Sequence, residues 1–413
     1  MRSILVLGMV MFGCLLPASS TVADVYPVRF DETVRSEPAT GRVILFFISK
    51  SGPRWDHTEP MEAPFYGSPQ PIASIAVKDV KPGDVMMIDG AVFAAGTPLD
   101  QLDGVVRVQA VLDVDTTERS HEQGPGNLYS DVVSTTLSSA TDDKVELLLT
   151  HAIAPHALPE DSDTVKWIKL RSKLLSDFYG RDVYHFAGVA LPPAYDDPNA
   201  SRKQWPAVYV IPGYGGRFDD RHGGAADYAH TLATPGVPDV APNAVYIVLD
   251  PESPLGHHGF VDSPNHGPRG TALVTELIPH LEKEFRLVAM PEARLLTGHS
   301  SGGWTSLWLQ LNHPNVFGGC WSSAPDPVDF SAFQLTDLYH DSNIYESADG
   351  QVCGSFRRPK NSQGEMMVLM TVRQEGQMEH AIDPTGGSGQ QWDAWDAMFS
   401  PHDEKIGMPK PMY

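Results

Sequence analysis

The sequence predicts an α/β domain with a mostly parallel sheet, preceded by an all-β, sandwich-like domain. Two observations carry this prediction. Residues 24–150 contain several short strand-like segments and no long helical period, which is typical of a β-sandwich. After residue 180, apolar strand-like segments alternate with segments of helical spacing, which favours a mostly parallel sheet covered by helices.

Residues 1–23 are predicted to be a signal peptide. A basic residue precedes an apolar run at positions 4–17, which is shorter than a membrane-spanning helix, and small residues follow at positions 18–23. The expected location is therefore secreted or periplasmic. A lipoprotein alternative acylates Cys14, but Met11 stands where leucine is usual and the apolar run continues past the cysteine. No later segment is apolar over about 18 residues, so no stable membrane anchor is expected.

The remaining chain divides into three parts. Residues 24–150 form the β-sandwich-like domain, in which 41–50 is β-rich and 105–114 alternates apolar and polar residues, as a half-buried strand does. Residues 151–180 begin with two spaced prolines and are predicted to be a connector. Residues 181–413 are assigned to the α/β domain.

Composition limits the classes of partner and cofactor. The 30 basic residues stand against 52 acidic ones, a net charge of −22 that repels phosphate backbones, so no nucleic-acid partner is expected. Removal of the signal peptide leaves Cys320 and Cys353, for which one disulfide and two separate buried thiols are equal alternatives. These cysteines lack C-x-x-C spacing, and no metal or other cofactor is expected.

A motif for nucleophilic catalysis occupies residues 298–302, Gly-His-Ser-Ser-Gly, which match G-x-S-x-G. A predicted strand at 294–297 precedes the motif and a predicted helix at 302–312 follows it. Ser300, at the centre, is the candidate catalytic nucleophile, because such a turn projects its hydroxyl at the carboxyl edge of the sheet and the helix N-terminus favours negative charge. Ser301 is the rival hydroxyl, off the central position. The two glycines leave room for close backbone approach; a serine- and glycine-rich turn without function is the alternative.

An acyl-transfer serine also needs two N–H donors aimed at the oxyanion. The amide of Ser301, which follows the nucleophile, is expected to be one donor. The amide of Tyr214 is expected to be the other, because Tyr214 lies in the glycine-rich segment 212–216 after the predicted strand 206–211. An ordinary glycine turn is the alternative at this position.

These motifs resemble the esterase family of α/β-hydrolases. The resemblance rests on residues 211–216, 276–279 and 298–304, and it covers about residues 180–330. This family contains enterochelin esterases, feruloyl esterases, S-formylglutathione hydrolases and the antigen 85 acyltransferases; an N-terminal β-sandwich resembles the enterochelin esterases. The resemblance implies an exported serine esterase that acts on a small-molecule or carbohydrate-linked ester through Ser, an acid and His.

The sequence departs from the family pattern downstream of Ser300. Residues 325–365 have the composition of a polar insertion, and only 365–373 resembles a further strand. An in-chain triad would take His402 as its base and its acid from three carboxylates: Glu375, Glu379 and Asp383. Because no strand separates these residues, we expect instead that the last two strands of the fold, with the acid and the histidine, lie beyond Tyr413. The α/β sheet of this chain is then incomplete.

Two other functions stay open at this point. One is a non-catalytic binding protein with an incomplete hydrolase domain, and the other is an acyltransferase that uses a sugar in place of water. His257 and His258 follow the predicted strand 244–249, and we expect them in a solvated loop rather than in the cleft.

Overall fold

A computed structural model describes residues 25–49, 55–63, 69–88, 93–96, 101–137, 145–200, 202–236 and 243–411. The predicted signal peptide and Cys14 lie outside these ranges. Within them, every helix is too short or too polar to cross a membrane. The same ranges contain no group of three or more His, Cys, Asp or Glu side chains that is arranged to hold a metal ion.

Nine strands of the N-terminal region form one hydrogen-bonded sheet. They are β1 (Tyr26–Phe30), β2 (Ala39–Ile48), β3 (Ile72–Val80), β4 (Met86–Ile88), β5 (Phe93–Ala95), β6 (Gly104–Asp113), β7 (Leu128–Ser130), β8 (Val133–Leu137) and β9 (Leu147–Ala152). Their order is β4-β1-β9-β7-β6-β2-β3-β5, with β8 also paired to β6. The described strands thus form one continuous sheet, and the two separate facing sheets of a sandwich are not confirmed.

The two faces of strand β2 serve different cores, as the two-residue period of a strand requires. Val43, Leu45 and Phe47 point into an apolar cluster shared with β1, β3, β6 and β9. Ile44 and Phe46 point the other way and pack against the C-terminal part of the chain. The N-terminal sheet is therefore buried on both sides along its central strands.

The second part of the chain is a six-stranded sheet covered by helices. Its strands and those of a small hairpin are β10 (Val165–Ser172), β11 (Val183–Ala190), β12 (Ala207–Ile211), β13 (Val245–Leu249), β14 (Asp262–Ser263), β15 (Gly267–Pro268), β16 (Arg294–His299) and β17 (Gly319–Ser323). The helices are α1 (Lys173–Tyr179), α2 (Ala225–Ala233), α3 (Arg269–Ala272), α4 (Ile278–Glu284) and α5 (Ser301–Asn312), with a π-helical stretch at Leu273–Leu277.

The six strands have the order β10-β11-β13-β12-β16-β17, with β14 and β15 paired separately. The first two pairs are antiparallel and the next three are parallel. The predicted mostly parallel sheet is confirmed. Strands β10 and β17 are the two edge strands of this sheet among the described residues.

The predicted connector at 151–180 is wrong for its second half. Strand β10 pairs with β11 over its whole length, from Val165 opposite Ala190 to Ser172 opposite Val183. Ser172 then caps α1, because its hydroxyl accepts from the Leu175 amide. Charged residues interrupt the apolar pattern of β10, as an edge strand permits, and this hid the strand in the sequence. A domain boundary near residue 150 stays a prediction.

The last part of the chain builds on these two sheets. It contains β18 (Gly354–Pro359), β19 (Met366–Thr371), α6 (Val372–Ile382), α7 (Gln391–Phe399), β20 (His402–Asp403) and β21 (Met408–Pro409). Strand β19 confirms the strand predicted at 365–373. Among the described strands it pairs only with β18, which lies inside the segment expected to be an insertion. Cys320 and Cys353 are both free thiols, so the disulfide alternative is wrong.

Helix α6 packs on the outer face of the N-terminal sheet. Met378 and Ile382 join Ile44 and Phe46 in one buried cluster. The Ser74 hydroxyl of β3 donates to a backbone carbonyl of α6 at 2.5 Å. The C-terminal segment therefore bridges the two sheets.

Candidate active site

Two neighbouring parallel strands bring the two predicted loops together. Strands β12 and β16 pair so that Ile211 lies opposite Gly298 at their carboxyl ends. The segment after β12 and the turn after β16 therefore leave the sheet side by side. A Cβ placed on Gly213 would lie 3.6 Å from the Cβ of Ser300.

Ser300 has a backbone conformation that few side-chain-bearing residues adopt. Its φ is 56° and its ψ is −127°, at the junction of β16 and α5. A residue in such a sparsely populated region costs on the order of 1–3 kcal/mol, and the surroundings must hold it there. The Ser300 amide donates to the Ser323 carbonyl at 3.1 Å, and the Ser300 carbonyl accepts from the Trp304 amide at 2.9 Å.

The glycines on either side of the turn are required by close backbone approach, as predicted. A Cβ on Gly298 would lie 2.2 Å from the Gly302 carbonyl oxygen, and one on Gly302 would lie 2.0 Å from the Ile211 oxygen. No side chain fits at either position without moving the backbone of β12 or α5.

The Ser300 hydroxyl donates to a carboxylate. Its Oγ lies 3.2 Å from Asp326 Oδ1, and Ser301 Oγ lies 2.5 Å from Asp326 Oδ2. Among the residues that the structure describes, no imidazole accepts from Ser300. The sequence did not single out Asp326, which follows β17 in the segment taken for an insertion. Its position beyond a parallel strand, at the same edge as Ser300, was the available signal.

The Tyr214 side chain joins three parts of the chain. Its hydroxyl accepts from Arg119 Nη1 at 3.0 Å and donates to Gln390 Oε1 at 2.7 Å. Arg119 belongs to the segment between β6 and β7, and its guanidinium carbon lies 4.9 Å from the centre of the Tyr214 ring. The same guanidinium forms an ion pair with Glu252 at 2.7 Å. The N-terminal sheet thus contributes a residue that holds the loop beside Ser300.

His257 and His258 are buried, with 3% and 2% exposure, so their expected solvated loop is wrong. His257 Nε2 donates to the Pro212 carbonyl at 3.1 Å, and its Nδ1 accepts from the Gly259 amide at 3.2 Å. This pairing needs a neutral ring with its proton on Nε2. Burial lowers the pKa of His257, which keeps the ring neutral. His257 therefore supports the loop that carries Tyr214.

Helix α7 packs over the residues beside Ser300. Trp395 and Met398 of α7 face Ser301, Trp304 and Asp326 across a pocket of only about 10 Å³, roughly the room for one water molecule. Trp304 and Trp395 meet edge to face at 5.2 Å. Ser301 and Asp326, the two residues beside Ser300, are therefore covered by α7.

The in-chain candidates for the acid and the base have other partners. His402 is exposed, and its Nδ1 pairs with Asn265 Oδ1 at 2.8 Å. Glu375 and Glu379 are buried at 1% and 3% exposure. Glu375 accepts from the Trp392 indole at 2.7 Å, and Glu379 accepts from two amides at the start of α7 at 2.9 and 3.0 Å. Asp383 pairs with Arg42 at 3.8 Å. None of the four forms a hydrogen bond with Ser300. The role of His402 as the catalytic base therefore stays a prediction.

The fold and this turn define a class of protein, the α/β-hydrolase-like proteins with a serine at a strand-to-helix turn. The model of the family described as "Putative esterase" matches residues 185–405, more than half of the chain. The chain belongs to this esterase family, which confirms the resemblance seen in the sequence. No curated relative matches the chain.

Several solved structures are similar to the chain at low identity. A ferulic acid esterase is 18% identical and has a TM-score of 0.31, over 39% of this chain and 57% of that one. A fluorophosphonate-binding serine hydrolase of Staphylococcus aureus is 12% identical, with a TM-score of 0.31, over 45% and 64%. A ferulic acid esterase of Anaeromyces mucronatus, solved with ferulic acid, is 21% identical, with a TM-score of 0.30, over 42% and 62%. The chain thus covers less than two thirds of each.

Proposed function

We propose that the protein is an exported serine esterase in which Ser300 attacks the acyl carbon of a small-molecule or carbohydrate-linked ester. The observation that carries the proposal is the backbone of Ser300, with φ 56° and ψ −127° between β16 and α5. This conformation projects the hydroxyl at the carboxyl edge of the sheet, where ligands of α/β folds bind. The family match supports a carboxylic ester hydrolase.

In the proposed reaction, Ser300 Oγ bonds to the acyl carbon and the carbonyl oxygen takes the negative charge. The amides of Tyr214 and Ser301 donate to this oxygen; Ser301 is the first residue of α5, so its N–H has no partner within the helix. The alcohol leaves with a proton, and water then hydrolyses the acyl-enzyme and restores the Ser300 hydroxyl. Acyl transfer to a sugar follows the same first step.

Asp326 is the described group placed to receive the Ser300 proton, because its Oδ1 accepts from the hydroxyl at 3.2 Å. A carboxylate is a weaker base than an imidazole, so this arrangement is expected to give slow turnover. The same contact favours a second candidate function, a non-catalytic binding protein that keeps the hydrolase fold.

Covalent labelling separates the two functions. A fluorophosphonate probe should label Ser300, and p-nitrophenyl acetate should be hydrolysed. Ser300→Ala should remove the labelling and nearly all hydrolysis, whereas Ser301→Ala should keep much of both, because Ser301 acts through its amide. Labelling of another residue contradicts the assignment of Ser300, and a chain that neither labels nor hydrolyses is the binding protein. Sequencing of the exported protein's N-terminus tests the signal peptide.

A further inference from the structure

A polar pocket lies next to the candidate active site, at the same edge of the sheet. Its volume is about 270 Å³, and it lies between the loops after β12 and β13, the start of β11 and residues 117–118 of the N-terminal region. Arg217, three positions after Tyr214, lines this pocket, and so does His258, the neighbour of His257. The pocket therefore begins on the loops that form the site around Ser300.

Each carboxylate that lines the pocket already has an arginine partner. The pairs are Glu118–Arg217 and Asp250–Arg217, both at 2.8 Å, Glu252–Arg119 at 2.7 Å, and Asp182–Arg171 at 2.6 Å. Arg217 is shared between two carboxylates, and its side chain is 12% exposed. The four carboxylates thus share three arginines, which leaves one negative charge in the acidic part of the wall.

Two further arginines of the wall, Arg181 and Arg269, have no carboxylate partner among the described residues. Their guanidinium carbons lie 5.5 and 5.6 Å from the centre of the Tyr179 ring. Arg269 donates from Nε to the His266 carbonyl at 3.2 Å and from Nη2 to the Tyr179 hydroxyl at 3.4 Å. In the described part of the chain, the Nη1 group of Arg269 has no acceptor.

A buried cation without a counter-ion is costly, and Arg269 is only 7% exposed. The one carboxylate charge left over in the wall does not balance both Arg181 and Arg269, and the neighbouring histidines do not change this balance. His185 and His258 also line the pocket, and burial lowers the pKa of each, so both rings are neutral. Two unpaired guanidinium groups in one pocket are therefore unusual in a chain whose net charge is −22.

We propose that this pocket binds an oxyanion group, a carboxylate or a phosphate, through Arg181 and Arg269. The planar guanidinium offers paired N–H donors that match the oxygens of such groups. The further step, that this carboxylate or phosphate is part of the ester substrate, rests on the proposed esterase function. In that case the pocket selects esters that carry a negative charge beyond the bond cleaved at Ser300.

Direct binding tests the proposal without any ester. Succinate and inorganic phosphate are titrated calorimetrically into the full chain carrying Ser300→Ala, at low salt. At least one of them should bind, and the comparison distinguishes a carboxylate site from a phosphate site. Arg181→Gln should weaken binding about tenfold through the loss of one charge-assisted contact. Arg181 is exposed, so this variant should fold.

Two further variants serve as controls: one should leave the affinity for the anion unchanged and the other should increase it. Arg358→Gln removes an exposed arginine of β18 and should leave the affinity unchanged. Asp182→Asn removes a negative charge from the wall and releases Arg171, so it should tighten binding a few-fold. Absence of binding by both anions, or equal affinity in Arg181→Gln and the unmodified pocket, overturns the proposal. Because the assay contains no ester, a chain without esterase activity can still show this binding. An active esterase that binds neither anion contradicts the proposed anion pocket and leaves the proposed esterase function standing.

Discussion

Arg119 donates a hydrogen bond to the hydroxyl of Tyr214, a residue 95 positions further along the chain, at 3.0 Å. Tyr214 in turn donates to Gln390, just before α7. The loop expected to bind the oxyanion is thus held between the N-terminal region and the C-terminal segment. Glu252 fixes the other side of the Arg119 guanidinium. The position of the Tyr214 amide therefore depends on the assembly of all three parts.

Arg119→Ala should lower kcat for p-nitrophenyl acetate by about 10-fold to about 100-fold. The variant releases the Tyr214 ring, and a displaced oxyanion donor loses part of its contribution to the transition state. Arg29→Ala is the matched control, because it removes an exposed ion pair with Glu146 in the same N-terminal region. Steady-state kinetics of both variants check this; an unchanged kcat in Arg119→Ala would show that the ring does not position the loop.

Two glycine substitutions should have opposite effects on stability. Gly302→Ala places a Cβ 2.0 Å from the Ile211 carbonyl oxygen and should destabilise the protein by about 3 kcal/mol or more. Gly376→Ala lies inside α6 with no atom within 4 Å of the new Cβ, so it should stabilise by about 0.5–1 kcal/mol. Urea unfolding measures both. Equal effects of the two substitutions would contradict the close approach at the turn.

The stabilisation contributed by two buried carboxyl groups of α6 should fall as the pH rises from about 4.5 to about 7. Burial raises the pKa of Glu375 from its ordinary value of 4.5 to about 7, and burial also raises that of its neighbour Glu379. The folded protein therefore binds these protons more tightly than the unfolded chain. Their stabilisation is complete below pH 4.5 and is lost as the pH approaches 7.

Glu375→Gln should flatten this pH dependence, because an amide has no proton to lose. Between these two pH values, the melting temperature of the wild type should decrease relative to that of the variant. Glu404→Gln, at an exposed position, is the control and should follow the wild type. Parallel changes in the melting temperatures of the wild type and of Glu375→Gln across this interval would refute the role of the buried carboxyls.

The 413-residue chain should be a poor esterase, and His402→Ala should change its rate little. His402 pairs with Asn265 and has no hydrogen bond to Ser300, whose hydroxyl contacts Asp326. Among the described residues no imidazole contacts Ser300, so Asp326 is a weak base and the oxyanion donors and binding supply most of the rate, about 10³–10⁴-fold over water. Hydrolysis of p-nitrophenyl acetate by both proteins checks this. Rapid turnover that His402→Ala abolishes would place the triad within this chain.

The turn at Ser300 was predictable because its requirements are local. A serine between two glycines, after a strand and before a helix, specifies the conformation within five consecutive residues. The glycine-rich segment 212–216 after the predicted strand 206–211 was likewise recognisable from a few consecutive residues. Both loops of the candidate site therefore followed from short segments of sequence.

The supporting residues of the site were missed because they depend on distant packing. Arg119, Asp326 and Gln390 are ordinary polar residues until the fold brings them to Ser300 and Tyr214. His257 looked solvated because histidine usually is, yet a carbonyl and an amide satisfy its ring nitrogens in the interior. Strand β10 was missed because the charged residues of an edge strand hide its pattern.

The contact between α6 and the N-terminal sheet can form only after α6 has been synthesised. Ser74 and its partner in α6, Ala381, are 307 positions apart. Ile44 and Phe46 on that face have no cover from α6 while the ribosome is still making the middle of the chain. During most of its synthesis the nascent chain therefore exposes this apolar face of β2. Exposed apolar surfaces bind chaperones and promote aggregation.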